Sequence, residues 1–116
     1  MTIEAQVYEV LKGLVGGRVY PDVAPEGTPV PYITYQAVGG APVNFLSGDR
    51  PDKTNTRMQV NVWAKSRIEA SELGAQIEDA IRAATALQTE VLTGRVATYD
   101  ETTRYRGAIQ DFSLWL

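Results

Sequence analysis

The sequence predicts an α+β fold, with two helices packed on one face of a mostly antiparallel sheet of about four to five strands. Three observations predict it. Apolar residues recur at helical spacing near the start and again after residue 66. Between Thr56 and Ala64 they alternate with a period of two. The remaining β-branched and aromatic segments are separated by turn residues rather than by further helices. The 116 residues fit one domain, 1–116. A chain of this size hides roughly two-thirds of its unfolded surface on folding. An apolar content of 44% can fill the resulting core, and 22% charged residues favour neither disorder nor a membrane span.

In residues 2–15, Ile3, Val7, Val10, Leu11 and Leu14 fall on one helix face. Thr2 is placed to cap its start, Glu4 suits the positive end of the dipole, and Gly16-Gly17 stops it. Residues 18–31 hold four of the six prolines, which marks a loop with a short edge strand at Arg18–Tyr20. Tyr32–Val38 is rich in β-branched and aromatic residues and reads as a strand ended by Gly39-Gly40. From Thr56 to Ala64, Met58, Val60, Val62 and Ala64 face one way, while Arg57, Gln59, Asn61 and Trp63 face the other. That is a half-buried antiparallel strand. Trp63, on its polar side, covers either a helix edge or a partner.

Ser66-Arg67-Ile68-Glu69 matches a capping box. Behind it, Ala70, Leu73, Ile77, Ala80, Ile81 and Ala84 line the inner face of a helix, with Glu69, Glu72, Gln76, Asp79 and Arg82 outside. The small alanines suit close approach to a sheet. Leu87–Leu92 and Arg95–Tyr99 read as strand material broken near Thr93-Gly94. Asp100 to Thr103 is a turn, and Arg104–Leu116 is a last strand ending on bulky apolar side chains that should be docked.

The absent residue types narrow the chemistry. No Cys means no disulfide, thiolate nucleophile or cysteine-bound metal, and no His removes the Ser-His-Asp triad and the His-carboxylate metal sites. A formal charge of −3 argues against a general phosphate-binding surface. No secretory signal and no 18-residue apolar run are visible, so a soluble protein of a reducing compartment is expected. Asp49 and Asp52 in one loop, and Asp22 and Glu26 in another, are the available carboxylate pairs. They support a rival reading as a small ligand- or metal-binding module or carboxylate enzyme, a dimer, but no calcium-loop spacing surrounds them. The diglycines lack phosphate-loop spacing. Arg104 and Arg106, placed on one strand face, suit either a partner's acids or phosphate, or a solvated edge.

The 39–55 loop is longer than connections in compact domains usually are, and such loops tend to be functional or disordered. It carries Val43, Phe45 and Leu46 among turn residues. Either Phe45 and Leu46 fold back onto their own core or the loop reaches another subunit.

Several ordered segments resemble the tail-completion proteins of long-tailed bacteriophages. They are Val19-Tyr20-Pro21-Asp22-Val23-Ala24-Pro25, Pro31-Tyr32-Ile33-Thr34-Tyr35, Gln59-Val60-Asn61-Val62-Trp63-Ala64, Glu69-Ala70, and Asp100-Glu101 through Arg104-Tyr105 to Asp111-Phe112-Ser113-Leu114-Trp115. The resemblance implies a fold similar to the lambda-type tail terminator and assembly as a ring, with six copies as the suggested number. That ring would cap the tail tube and dock the head connector, so the tube protein and the head-completion protein are the implied partners. The implied location is the tail or neck of a virion, assembled in the cytoplasm of a bacterial host. No catalytic residue, cofactor or metal carries over, and neither a membrane nor sequence-specific nucleic acid is an expected partner. The expected interface residues are Phe45, Leu46, Arg50 and Trp63, with Arg104 and Arg106 as lesser candidates. Arg50, Lys53 and Arg57 cluster in and after the loop.

Overall fold

The alternating segment before residue 64 forms the middle of the sheet. In the computed structural model, which describes all of residues 1–116, it is strand β3, Asn55–Ala64. It pairs antiparallel along its whole length with β6, Arg106–Trp115. The register sets Met58 opposite Phe112 and Val62 opposite Ala108 on one face. On the other side of β3 lies β2, Tyr32–Ala37, antiparallel to it, and beyond that β1, Val19–Pro21, parallel to β2. The far side of β6 is shared by two short strands. β5, Val96–Tyr99, pairs with its first half, and β4, Glu90–Val91, pairs with its second. The sheet thus has six strands, one more than the expected upper count, because two- and three-residue strands are defined by pairing rather than composition.

Both helices cover the same face. α1, Ile3–Leu11, continues into a 3₁₀ turn at Lys12–Leu14, and the Thr2 hydroxyl accepts the Ala5 N–H at 3.1 Å as the cap. α2, Arg67–Ala83, is capped by the Ser66 hydroxyl, which accepts the Glu69 N–H at 3.2 Å. Val7 and Leu11 of α1, Leu73, Ile77 and Ile81 of α2, and Ile33, Tyr35, Met58, Val60, Val62, Phe112 and Leu114 of the sheet make one apolar core. Each fully buried side chain of this size stabilises the fold by about 1.5–3 kcal/mol over exposure. Gly74 is a point of close helix–sheet approach. A Cβ there would stand 3.3 Å from the Ala108 Cβ and 2.8 Å from the Arg95 Cδ.

Two stretches differ from the sequence reading. Leu87, read as the start of a strand, lies in a 3₁₀ turn, Thr85–Leu87, and plugs the core at 1% exposure; Gln88 then takes φ 46° to turn the chain into β4. Arg104 has φ 62° in the turn ahead of β6, so it shares no strand face with Arg106. The turn keeps Arg104 out of the ladder: its N–H donates to the Asp100 carbonyl at 2.7 Å.

The molecule is elongated, 52 × 26 × 24 Å, with a Cα radius of gyration of 15.0 Å. A chain of this length ordinarily packs to about 13 Å. The connection between β2 and β3 is the molecule's longest exposed segment, every residue from 36 to 50 being open to solvent.

Candidate assembly interface

The β2–β3 connection begins as an extension of the ladder and then leaves the body. At its base, the Val38 N–H donates to the Arg57 carbonyl and the Arg57 N–H to the Gly39 carbonyl, both at 2.8 Å. Gly40 follows at φ 149°, where a Cβ would collide with the Asn55 carbonyl, so only glycine lets the two limbs lie this close. The Ala41 N–H then donates to Asn55 Oδ1 at 2.8 Å. Further out the internal order is local, a turn from the Gly48 N–H to the Phe45 carbonyl at 3.0 Å and the Ser47 hydroxyl on Asp49 at 3.0 Å.

Every residue from Gln36 to Arg50 is exposed. Leu46 is wholly open to solvent and Phe45 is 50% exposed. Neither belongs to the apolar core cluster. Arg50 forms no ion pair, and Lys53 reaches only Gln88 Oε1 at 3.5 Å. Arg57, expected to join them as a cation, is instead bound to Asp111.

The other expected interface residues stand at the opposite end of the sheet. Trp63 lies directly opposite Gly107 in the β3–β6 register, on the face away from the helices. Its indole covers Gly107, where a Cβ would meet the ring at 2.9 Å and Thr98 Oγ1 closer still. It covers a neighbouring strand, therefore, and no helix edge. Arg106 is opposite the buried Ala64 and points to the helix side, with its guanidinium 4.9 Å from the centre of the Tyr99 ring. Beside Arg104, Tyr105 sets its ring edge-on to Tyr32, centroids 6.4 Å apart. Burial pushes the Tyr32 phenol above its ordinary value, with Tyr105 and Asp100 adding to the rise. The six residues thus fall at two ends of the molecule, Phe45, Leu46 and Arg50 on the arm and Trp63, Arg104 and Arg106 at the far end, where Trp63 and Arg106 stand on opposite faces of the sheet.

Between these ends, the helix-free face is polar and largely paired within itself. Arg57 holds Asp111 through Nε at 2.9 Å and its terminal nitrogen at 2.7 Å, and Gln59 donates to the other carboxylate oxygen at 3.2 Å. Asn55 donates to the Ser113 hydroxyl at 2.7 Å. Asn61 Oδ1 and Thr98 Oγ1 are buried on this face without a partner.

Two groupings were not singled out from the sequence. Glu78 of α2 accepts from Gln110 at 2.9 Å and pairs with Arg82 and Arg95 at 3.0 Å each. The Gln110 bond, then the Arg82 bond, hold its carboxyl below the usual range. Arg67 forks onto the Gly107 and Thr98 carbonyls at 2.6 and 2.7 Å, pinning the start of α2 to β5 and β6. Glu78 and Arg82 have helical i,i+4 spacing, but the bonds to Arg95, Gln110, Gly107 and Thr98 span 17 to 40 residues and spacing does not point to them.

The two carboxylate pairs of the rival reading lie on different segments, Asp22 and Glu26 after β1 and Asp49 and Asp52 in the β2–β3 connection. Asp22 borders a shallow hollow with Glu4 and Tyr35, whereas Asp49 and Asp52 are on the arm. No three acids are grouped to hold a metal ion. No helix is long and apolar enough to cross a membrane.

The chain is thus a small α+β layer with an exposed arm carrying Phe45 and Leu46 and a polar face largely paired within itself. A family model described as "Tail completion protein gp17" matches residues 6–116, and the chain belongs to that family. In fold it is similar to a chain of the virion of a native gene transfer agent particle. That match has a TM-score of 0.67 at 18% identity, covering 97% of this chain and 92% of the other. The bacteriophage SPP1 gp17 protein aligns with a TM-score of 0.47 at 16% identity, over 97% of this chain and 83% of its own. No curated protein matches it in sequence.

Proposed function

We propose that residues 1–116 act as one non-enzymatic structural module that completes the tail of a phage-like particle by assembling into a ring. The ring, of six copies by the family resemblance, closes the tail tube and meets the head-completion protein in the neck. Assembly takes place in the cytoplasm of the bacterial host. Phe45, Leu46 and Arg50 on one side, with Trp63, Arg104 and Arg106 on the other, make the subunit contacts. The observation that carries this reading is the arm. An exposed apolar tip, with Leu46 wholly in solvent, on a member of the tail-completion family needs a protein surface to bury it. The separation of the two groups suits it as well, because a ring is built from heterologous contacts in which one surface meets a different one.

Light scattering after size exclusion, run across concentration, tests the reading. The native chain is expected to form a discrete oligomer larger than a dimer. The Phe45→Ser/Leu46→Ser variant should run as a monomer with an unchanged melting temperature. A closed dimer in both chains would overturn ring assembly, since a two-fold contact uses the same patch on each copy. Unfolding of the variant would show that the tip belongs to the core.

A further inference from the structure

At the end of the sheet opposite the arm, the proline-rich segment after β1 and the turn before β6 enclose a hollow of about 350 Å³. Pro25, Pro29, Tyr32 and Tyr105 form its apolar walls, Ala24 lies among them, and Glu26 is the one charged residue lining it. Glu26 is exposed and makes no ion pair. On the arm, Arg50 is the matching cation without a partner, a few residues from Phe45 and Leu46. The chain therefore carries an unfilled aromatic and proline hollow beside a free acid, and an unburied apolar tip beside a free base. It cannot join them within itself. β3 alone puts roughly 30 Å between the two ends, and the arm extends away from the hollow.

We infer that the arm tip of one copy docks in this hollow of the next, with Phe45 and Leu46 against the Tyr32–Tyr105 wall and Arg50 beside Glu26. The inference rests on the self-assembly reading and names its contact. The occupant is a second copy because the complementary parts, apolar surface and opposite charges, are both on this chain. The contact is heterologous, so repetition gives a ring if the rotation closes and a filament if it does not.

The chain has no cysteine, which makes single introduced thiols unambiguous reporters. Leu46→Cys and Ala24→Cys chains, at two exposed or half-exposed positions, are mixed in equal amounts and oxidised. The expected product is a mixed disulfide dimer in large excess over either like-with-like dimer. The doubly substituted chain should give a ladder ending at the mass of the assembly seen by light scattering. Arg50→Glu and Glu26→Arg should each weaken association by about fivefold, and the two together should restore it. A Leu46–Leu46 product in excess would overturn the docking in favour of an arm-to-arm contact. Oligomers without the mixed product would overturn the docking while leaving ring assembly standing. A chain that stays monomeric at every concentration and gives no mixed product overturns the docking and self-assembly together.

Discussion

Gly107 is the position where a single atom decides the packing of two strands. Its neighbours across the sheet, Trp63 and Thr98, occupy the space where a Cβ would stand. Gly107→Ala should therefore cost about 1–3 kcal/mol through overpacking, read as a lower melting temperature with little change in helical circular dichroism. The sequence marks Trp63 as unusual on a polar face but does not show what it covers, because the answer depends on the β3–β6 register. Gly74 is similar: the alanine-rich stripe announces close approach, and only the packed structure shows that the contact point needs no side chain at all. Phe45 and Leu46 were legible in the opposite way, since nothing periodic around them offered a core, and they are exposed.

At the scale of elements, strong periodicity was readable and weak pairing was not. The two helices and β3 announce themselves by spacing, caps and alternation, and their bounds fall within a few residues of expectation. β4 and β5 hold their places on β6 by hydrogen bonds and by links from other elements. Gln110 reaches both Glu78 and the Thr93 carbonyl at 2.9 Å, which ties α2 to the segment between β4 and β5. This junction predicts a pH dependence. Because Glu78 has a lowered carboxyl pKa when folded, its contribution is fully present above the ordinary value of 4.5 and is lost as pH falls through the folded value. Melting temperature followed from pH 7 to pH 3 should drop less steeply in Glu78→Gln than in the native chain. An equal drop would show that the ion pairs with Arg82 and Arg95 contribute nothing to folding.

For the whole molecule, the body and the arm are separable. The core draws on no residue between Val38 and Asn55, so the arm's removal exposes no buried apolar surface. Replacing residues 41–52 by Asn-Gly, a turn suited to the antiparallel β2–β3 pair, should leave the melting temperature within a few degrees. X-ray scattering should then show a radius of gyration near the roughly 13 Å of a compact chain of this size, and no oligomer. The sequence signalled the arm by its length. It did not show that Trp63 and Arg106 take opposite faces of the sheet, because that depends on the β3–β6 register.

The placement of β6 has a consequence in time. The strand that bridges β3 to both short edge strands is the last to be made, and its partners in β3 lie 42 residues back at one end, Ala64 to Arg106, and 60 at the other, Asn55 to Trp115. A nascent chain lacking residue 106 and beyond has its helices and the β2–β3 pair, but one edge of β3 is open to other chains. Such distant pairing makes folding slower than in a helical protein of equal size, on the order of milliseconds to seconds. Synthesis thus leaves an interval in which β3 has one edge without a partner, and crowding of nascent chains is the condition under which this protein should aggregate.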